Sequence, residues 1–381
     1  MTTDHETAGS RPVRWGILGT ANIARKNWKA IRLTGNATVT AVASRDSERS
    51  RRFIAECQAD APMAAVPQAL GSYEALLGRE DVDAVYIPLP TGLRKQWVLR
   101  AAAAGKHIVC EKPCAVNAAD LEEMLAACRR QGVQFLDGVM FMHSQRLDTL
   151  RAVLEDGVSV GPVRRIACAF TFGQDAGFFG DNIRVHSALE PWGCLGDLGW
   201  YCIRFALWER QWQWPREVCG HLLAEAGRPD SPARVPTSFS GELFFGGGVS
   251  CGFYCSFVTS TEQWVVISGE RGSVRMEDFV LPFAGMDLGL EAHHAEFQVR
   301  ACDFRMEPHF RRFSVVEASH GQATAQETNL FRNFSAQVLS GQLNPVWPQA
   351  ALQTQQVMAA CLDSARAAGR HVAVTARTAS A

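Results

Sequence analysis

Short apolar segments alternate with amphipathic segments through the first third of the chain. Val13–Leu18 is a compact apolar strand, and the segment after it places Ala24, Trp28 and Ile31 on one helical face. The alternation continues until four predicted helices separate five predicted strands. Strands that alternate with helices form a parallel sheet with right-handed crossovers. The pattern therefore predicts an α/β, Rossmann-type doubly wound domain over residues 13–137, whose ligands bind beyond the carboxyl ends of the strands.

The second half of the chain follows a different pattern. "VRRIACAFTF" alternates in polarity, with Ile166, Cys168, Phe170 and Phe172 on one face. The stretches "ELFFGGGVSCGFYCSF" and "WVVISGERGSVRM" are typical of hairpins that turn at glycines. This predicts a second α/β domain over 138–381, with a large, mostly antiparallel, open sheet.

The second sheet is dense in aromatic residues, so we expect its open face to pack on something. A second copy of the chain is the simplest partner, and we predict a homodimer or higher homo-oligomer. The domain is expected to bind substrate as well as to assemble. A late helix at about 348–369 either stays with this domain or returns to the first.

Composition excludes several classes of partner. The chain has 381 residues with a formal net charge of -1, which gives no sign of nucleic-acid or anionic-membrane binding. No apolar run approaches the ~18–20 residues of a membrane span. Residues 1–12 are polar and are expected to be flexible, with no signal peptide. We therefore expect a cytoplasmic protein with a small-molecule partner.

The cysteines are not arranged for metal binding. Of 12 Cys, the closest pairs are Cys110/Cys114 and Cys251/Cys255, and neither has a two-pair zinc spacing. The His293-His294 pair is expected to be solvated. We predict buried reduced thiols and no metal site.

The turn after the first strand points to a nucleotide. Gly19, Thr20, Ala21, Asn22 and Ile23 precede Ala24, and the spacing is that of G-x-G-x-x-G/A with alanine at the middle position. The first glycine makes the tight turn, the middle residue lets backbone approach a pyrophosphate, and the last permits helix–strand packing. A strand before it and a helix after it indicate a dinucleotide-binding βαβ unit.

The second strand ends at Ser44-Arg45, where an NAD site usually has Asp or Glu. An arginine can pair with a 2′-phosphate, so NADP is favoured over NAD. The alternative is that Arg45 is merely solvated and Asp46 caps the next helix. At other strand ends, Pro88, Pro90, Glu111 and Lys112 are also predicted to contact the cofactor.

Two segments carry candidate chemistry. Glu111-Lys112-Pro113 follows a buried strand, and Gly193, Gly196 and Gly199 recur every third residue, which suggests a close backbone approach. Asp197 and Tyr201, four apart, share a helical face. A nearby ammonium such as Lys112 would lower the tyrosine pKa. Alternatively, Asp197 is an N-cap and Tyr201 a core residue.

These motifs resemble the Gfo/Idh/MocA oxidoreductase family. "GILGTANIA", "EKP" and "GDLGWY" occur in the family's order, and the resemblance extends from about Val13 to Val374. "DGVMFMH" and, approximately, "DNIRV" are similar to the sugar and dihydrodiol dehydrogenase branch, including plant-type members. Ala21 departs from the pattern, and Arg94 stands where many relatives have histidine.

The resemblance implies an NAD(P)-dependent dehydrogenase acting on CH–OH groups of a sugar, polyol or cyclic diol. It assigns catalysis to Lys112, Asp197 and Tyr201, the tyrosine replacing the histidine of other members. Arg184 and His186 either contact substrate with these three or are surface loop residues. The peptide before Pro113 is often cis in relatives. Two alternatives are a non-catalytic NADP- and sugar-binding regulator and an aldose oxidoreductase with permanently held NADP.

Overall fold

The computed structural model describes residues 11–374. The predicted flexible segment, 1–12, lies outside this range except for its last two residues. The first unit comprises β1 (Val13–Leu18), α1 (Asn22–Leu33), β2 (Ala37–Ala43), α2 (Ser47–Asp60), β3 (Gln68–Leu70), α3 (Tyr73–Leu77), β4 (Ala84–Ile87), α4 (Thr91–Ala103), β5 (His107–Cys110), α5 (Ala118–Arg130) and β6 (Phe135–Asp137).

The six strands of this unit form one parallel sheet in the order β3-β2-β1-β4-β5-β6. The strand order reverses between β1 and β4, and a crevice for ligands opens at such a point beyond the carboxyl ends. The predicted doubly wound fold is confirmed. β4 is fully buried because helices cover both faces of a parallel sheet.

The sequence prediction missed β3 and α3. β3 has three residues with no fully buried position, and α3 has five residues. Elements this short present too few periods for an apolar pattern to be recognised. The signal that was available is Ser72, whose side chain accepts from Ala75 N as a helix N-cap.

The second unit is built around a larger sheet. Its elements are α6 (Arg146–Glu155), β7 (Val163–Thr171), α7 (Ala176–Asp181), α8 (Trp200–Glu209), β8 (Glu217–Ala226), β9 (Val235–Phe244), β10 (Ser250–Ser256), β11 (Glu262–Gly269), β12 (Ser273–Met276), β13 (Leu288–Arg300), β14 (Asp303–Val315), α9 (Gln326–Leu339), α10 (Val346–Arg366) and β15 (Val372–Ala373). A π-helical turn, Leu195–Gly199, runs directly into α8.

This sheet has nine strands in the order β14-β13-β12-β11-β7-β10-β9-β8-β15. All neighbours are antiparallel except β7 and β10, so the predicted mostly antiparallel sheet is confirmed. Both predicted hairpins, β9–β10 and β11–β12, are present. Phe172 was expected beside Phe170, but it lies past the end of β7 and is 39 % exposed.

Both late helices contact the first unit. In α9, Phe331 and Phe334 pack on Trp15 of β1, whose indole Nε1 donates to Ser335 Oγ at 3.2 Å. α10 contacts α5, where Gln356 Nε2 donates to Glu122 Oε1 at 2.9 Å. Helices from the second half of the chain therefore pack directly on the first unit.

Candidate active site

The turn between β1 and α1, residues 19–21, is here named the phosphate turn because it has the geometry of a phosphate site. Gly19 has φ +120°, a conformation that favours glycine, and its N–H donates to Ala43 O at 2.8 Å. Ala21 stands at the N-cap of α1 and makes no side-chain cap. The first N–H groups of a 12-residue helix are thus directed at the crevice, where an anion is stabilised by them and by the helix dipole.

Two arginines stand at the end of β2. Arg45 and Arg49 are both exposed, and Arg49 Nε donates to Thr20 Oγ1 at 2.8 Å. Burial raises the pKa of Tyr73 and both guanidinium groups oppose this shift, which places them near its ring. Asp46 does cap α2, its Oδ1 accepting from Glu48 N, so that alternative does not exclude a role for Arg45. Sequence reasoning missed Arg49, which an inspection of the first turn of α2 would have found.

Of the other residues predicted to contact the cofactor, some lie beside the crevice and one is used within its own turn. Ser44 is buried and its hydroxyl donates to Asp46 O at 2.5 Å, so it shapes the turn. Pro88 and Pro90 follow β4, and Pro88 Cγ would lie 3.9 Å from a Cβ on Gly19. Ile23 is 40 % exposed at the start of α1.

Residues 111–113, here named the lysine turn, follow β5 directly. The Lys112–Pro113 peptide is cis, as the resemblance implied. The carbonyl of Pro113 accepts from the guanidinium of the buried Arg94 and from Thr91 Oγ1 at 3.3 Å. Glu111 is buried, and its Oε1 accepts from the Tyr86 hydroxyl at 2.6 Å. The turn is therefore fixed by its backbone while the lysine side chain extends from it.

Lys112 reaches across to the second unit. Its Nζ donates to Asp197 Oδ1 at 2.8 Å and to Asp197 O at 2.6 Å. Asp197 lies in the π-helical turn, where the regular i→i−4 ladder is broken. Burial disfavours the charged lysine, but the nearby Asp197 and Tyr201 outweigh burial and raise the Lys112 pKa. The sequence prediction that these residues meet agrees with the distances.

Asp197 is held between two cations. Arg184 Nε donates to Asp197 Oδ2 at 2.8 Å, opposite the oxygen that binds Lys112. Burial alone would raise the Asp197 pKa, but Arg184 and Lys112 together hold that pKa well below its usual range. Asp197 is therefore ionised at neutral pH and is not suited to donate a proton.

Tyr201 lies beside the same lysine. Lys112 Nζ is 4.7 Å from the centroid of the Tyr201 ring, and the residue is 8 % exposed. Burial raises the pKa of Tyr201 to about 12, although Lys112 acts in the opposite direction. Lys112 thus lowers the pKa of Tyr201 as expected, but burial raises that pKa by more. The phenol is therefore protonated at neutral pH.

The two loop residues behave differently. Arg184 contacts the site through Asp197, and its side chain is 46 % exposed. Among residues 11–374, His186 forms no hydrogen bond or ion pair with Lys112, Asp197 or Tyr201. Its influence on the pKa of Asp230 places it towards a different loop.

The glycines of residues 193–201, here named the glycine segment, are required by the protein's own packing. A Cβ on Gly193 would lie 2.1 Å from Pro236 O, and one on Gly196 would lie 2.9 Å from Pro113 Cγ. A Cβ on Gly199 would lie 2.9 Å from Leu195 Cδ1. The predicted close approach is therefore made by neighbouring residues, including the ring of the lysine turn.

Two supporting interactions were not predicted. Asp137, at the end of β6, is buried and pairs with Arg204 at 2.6 Å, and it also accepts from Trp200 Nε1 at 3.2 Å. Glu190 accepts from Thr91 N at 3.1 Å and from the Thr91 hydroxyl, joining the two units beside the lysine turn. Each pair is distant in sequence, so no local pattern could reveal it.

Comparison with known sequences agrees with this geometry. Residues 13–138 match the family described as oxidoreductase family, NAD-binding Rossmann fold, and residues 147–275 match the GFO/IDH/MocA C-terminal domain. The chain belongs to the Gfo/Idh/MocA oxidoreductase family. The predicted family and its NAD-binding domain are confirmed, and the phosphate turn, the strand-end arginines and the lysine turn fit a nicotinamide dinucleotide.

The chain is similar in sequence to two kinds of enzyme. It is 38% identical over 207 residues to a dTDP-3,4-didehydro-2,6-dideoxy-alpha-D-glucose 3-reductase from Streptomyces violaceoruber, covering 54% of the chain and 56% of the relative. The match thus spans little more than half of that relative's length. It is 30% identical over 293 residues to the trans-1,2-dihydrobenzene-1,2-diol dehydrogenase of Bos taurus, covering 75% and 79% respectively.

Among solved structures, a 3-ketoreductase from Actinomadura kijaniata in complex with NADP and TDP-benzene is similar to this chain. The TM-score is 0.76 at 25% identity, covering 93% of this chain and 98% of that one. Among the helices of residues 11–374, none is long and apolar enough to cross a membrane.

Proposed function

We propose that the chain is an NADP(H)-dependent oxidoreductase that interconverts a hydroxyl and a carbonyl on a sugar, polyol or cyclic diol. The observation that carries this proposal is the meeting of Lys112, Asp197 and Tyr201 at the carboxyl end of β5. That end of the sheet also carries the phosphate turn, so substrate and cofactor would share one crevice. The names of the bacterial and bovine relatives support the substrate class.

Each residue has a distinct role in this proposal. The nicotinamide, when bound, supplies or accepts the hydride. Lys112 donates a hydrogen bond to the reacting oxygen, and Tyr201 exchanges its proton with that oxygen. Asp197 fixes the Lys112 ammonium and, with Arg184, orients further substrate hydroxyls.

The protonation states favour reduction in the resting protein. Tyr201, with a pKa of about 12, carries its proton at neutral pH and is ready to donate it to a carbonyl oxygen. Lys112 then stabilises the phenolate that remains, since its ammonium lies close to the ring. In the oxidation direction the same ammonium opposes the raised pKa of Tyr201 and so favours the phenolate that would accept the proton.

NADP is proposed as the preferred cofactor on the basis of Arg45 and Arg49. Both are exposed at the end of β2, where the cofactor ribose would lie, and a guanidinium fork suits phosphate oxygens. The Asp or Glu that accepts a hydrogen bond from the ribose 2′-hydroxyl in NAD sites is replaced here by Arg45.

The proposal is tested with a panel of sugars, deoxysugar ketones, polyols and trans-dihydrodiols, followed by nicotinamide absorbance with NADP(H) and with NAD(H). Turnover of one substrate class, faster with NADP(H), is expected. Binding of both ligands without turnover of any substrate would instead support the regulatory alternative.

Lys112→Met separates these two functions further. We expect turnover to fall about 10²–10⁴-fold while NADP affinity changes little, because the lysine acts on the reacting oxygen. Lys95→Met, which removes a partly exposed ammonium on α4, is the matched control. Unchanged turnover in Lys112→Met would contradict the role of the lysine.

A permanently held cofactor is the second alternative. The absorbance of the purified protein, and of its supernatant after denaturation, shows whether NADP co-purifies. Stoichiometric NADP that survives gel filtration would support an aldose oxidoreductase that regenerates its cofactor internally. Free exchange supports a conventional dehydrogenase.

We further propose a homo-oligomer in a reducing cytoplasm. The far end of the β13–β14 hairpin exposes Phe297, Phe304 and Phe310, each more than half exposed, which suits a protein partner. Ten of the 12 cysteines are buried thiols. Sedimentation velocity of the wild type and of Phe304→Ser would test the assembly.

A further inference from the structure

A small cavity lies beside Tyr201, one of the proposed catalytic residues. It is lined by residues of both units, among them Ile23, Asn27, Glu111, Gly138, Tyr201 and Glu327. Ile23 follows the phosphate turn, and Tyr201 is where the proton would be exchanged. The cavity therefore adjoins both the phosphate turn and the proposed proton donor.

Most polar groups on the cavity wall already have partners. Asn27 Nδ2 donates to the Tyr86 hydroxyl at 2.6 Å, and that hydroxyl donates to Glu111 Oε1 at 2.6 Å. The three side chains therefore form a continuous chain of hydrogen bonds. They fix the wall that β4 and β5 contribute.

Glu327, in contrast, has one carboxylate oxygen without a hydrogen-bond partner among residues 11–374. It lies in the first turn of α9, is 2 % exposed, and its Oε1 accepts from Gly321 N at 2.8 Å. Within residues 11–374 its Oε2 is buried and has no hydrogen-bond partner. Lys26 Nζ is 4.0 Å away, outside hydrogen-bond distance, and donates to Met140 Sδ at 3.0 Å. A buried carboxylate oxygen without a donor is unfavourable unless a ligand supplies one.

We propose that Glu327 Oε2 accepts a hydrogen bond from the carboxamide NH2 of the nicotinamide ring. The carboxamide is the donor-bearing substituent of that ring, and Glu327 lines the same cavity as Tyr201. Glu327 would thus set the rotation of the ring and help to present one face to the substrate. This inference rests on the proposed function, because it takes the bound cofactor as given.

The test compares two cofactors that differ at the donor. NADP+ carries the carboxamide, and its 3-acetylpyridine analogue carries a methyl ketone in its place. Dissociation constants for both are measured by quenching of tryptophan fluorescence, so that turnover is not needed. The wild type is expected to bind NADP+ about tenfold more tightly than the analogue, the range of one hydrogen bond to a charged acceptor.

Glu327→Ala should weaken NADP+ binding to the level of the analogue while leaving the analogue's affinity unchanged. Glu327→Gln keeps an oxygen acceptor and should retain part of the preference. Glu209→Gln is the matched control. Glu209 is 4 % exposed, and among residues 11–374 its Oε2 has no hydrogen-bond partner and lies 3.6 Å from the Arg210 guanidinium, but the residue lies at the far end of α8.

Binding of the analogue also reports whether each variant is folded. If Glu327→Ala retains the wild-type preference, or if that preference is instead lost in Glu111→Gln, the inference is wrong. If the wild type binds neither dinucleotide, the proposed function itself fails. These results are distinguishable because the first two require a protein that binds NADP+.

Discussion

The lysine turn and the glycine segment face each other across the site, and they are held by different forces. The lysine turn is held by hydrogen bonds, since Arg94 and Thr91 both donate to the carbonyl of Pro113. The glycine segment is held by close packing, because added volume at Gly196 would meet neighbouring atoms. The position of the lysine turn therefore depends on polar partners, whereas the position of the glycine segment depends on the absence of side chains at its glycines.

The two sides also support each other. Glu190, just before the glycine segment, accepts from Thr91 at the start of α4, and Gly196 packs on the ring of Pro113. A substitution in the lysine turn should therefore also displace the glycine segment, and the reverse. The comparison predicts that polar substitutions act on the lysine side, whereas steric substitutions act on the glycine side.

The largest effect is expected at Tyr201, the proposed proton donor to the substrate oxygen. Tyr201→Phe removes the proposed donor and should lower kcat about 10²–10⁴-fold with little change in NADP affinity. Tyr254→Phe is the matched control, since that hydroxyl bonds Ser238 and Thr259 within the second sheet. Steady-state rates and fluorescence titration measure both quantities. A Tyr201→Phe enzyme with normal kcat would assign the proton to another group.

The pH dependence sharpens the same comparison. Tyr201 has a pKa raised to about 12, so the reduction rate should keep this donor as pH rises and lose it only near that value. Lys112 opposes the raised pKa, so Lys112→Met should raise it further and move the oxidation rate to more alkaline pH. Rate profiles in both directions measure the shift. An acid shift in the variant would contradict the electrostatic role of the lysine.

The sequence predicted the position of the lysine turn better than the side chains that hold it in place. β5 and the proline after Lys112 are contiguous in sequence, so periodicity and one motif located them. Arg94 was noticed only as a departure from relatives, and its bond to the Pro113 carbonyl joins residues 19 apart. A contact of that kind depends on the packing of α4 against β5, which no local pattern encodes.

The second-largest effect concerns the buried ion pair behind the glycine segment. Asp137 and Arg204 are 1% and 3% exposed at the side chain, and Asp137→Asn would leave the guanidinium without its charged partner. We expect a loss of about 3–5 kcal/mol in the free energy of unfolding, measured by urea denaturation. Glu307→Gln, which breaks the partly exposed pair with Arg305, should change that free energy by less than about 1 kcal/mol. Comparable losses in the two variants would contradict this account of the support.

The glycine segment itself illustrates what sequence reasoning could and could not supply. Three glycines at every third residue predicted a close approach, and the structure shows such an approach at each. The prediction did not say what approaches, because Pro236 and Pro113 come from distant parts of the chain. The π-helical turn that exposes the Asp197 carbonyl to Lys112 was likewise absent from a pattern expected to be α-helical.

A smaller effect is expected from added volume between the two sides. A Cβ on Gly196 would lie 2.4 Å from Trp192 Cβ and 2.9 Å from Pro113 Cγ, and a proline ring cannot rotate away. Gly196→Ala should therefore cost about 1–3 kcal/mol in the free energy of unfolding and also reduce kcat by moving Asp197. Gly180→Ala, where nothing lies within 4 Å of the added atom, is the control. Normal stability and rate in Gly196→Ala would show that the segment is not packed as described.

The smallest effect is expected far from both sides, at the cofactor's phosphate. Arg45→Ala and Arg49→Ala should each weaken NADP binding by about tenfold and leave NAD binding unchanged, because only NADP carries the 2′-phosphate. Arg52→Ala, which removes an exposed arginine in the second turn of α2, is the control. Equal affinities of wild type and both variants for NADP would remove the phosphate role. Loss at Arg49 alone would assign it to the arginine that already contacts Thr20, because that bond holds its guanidinium over the phosphate turn.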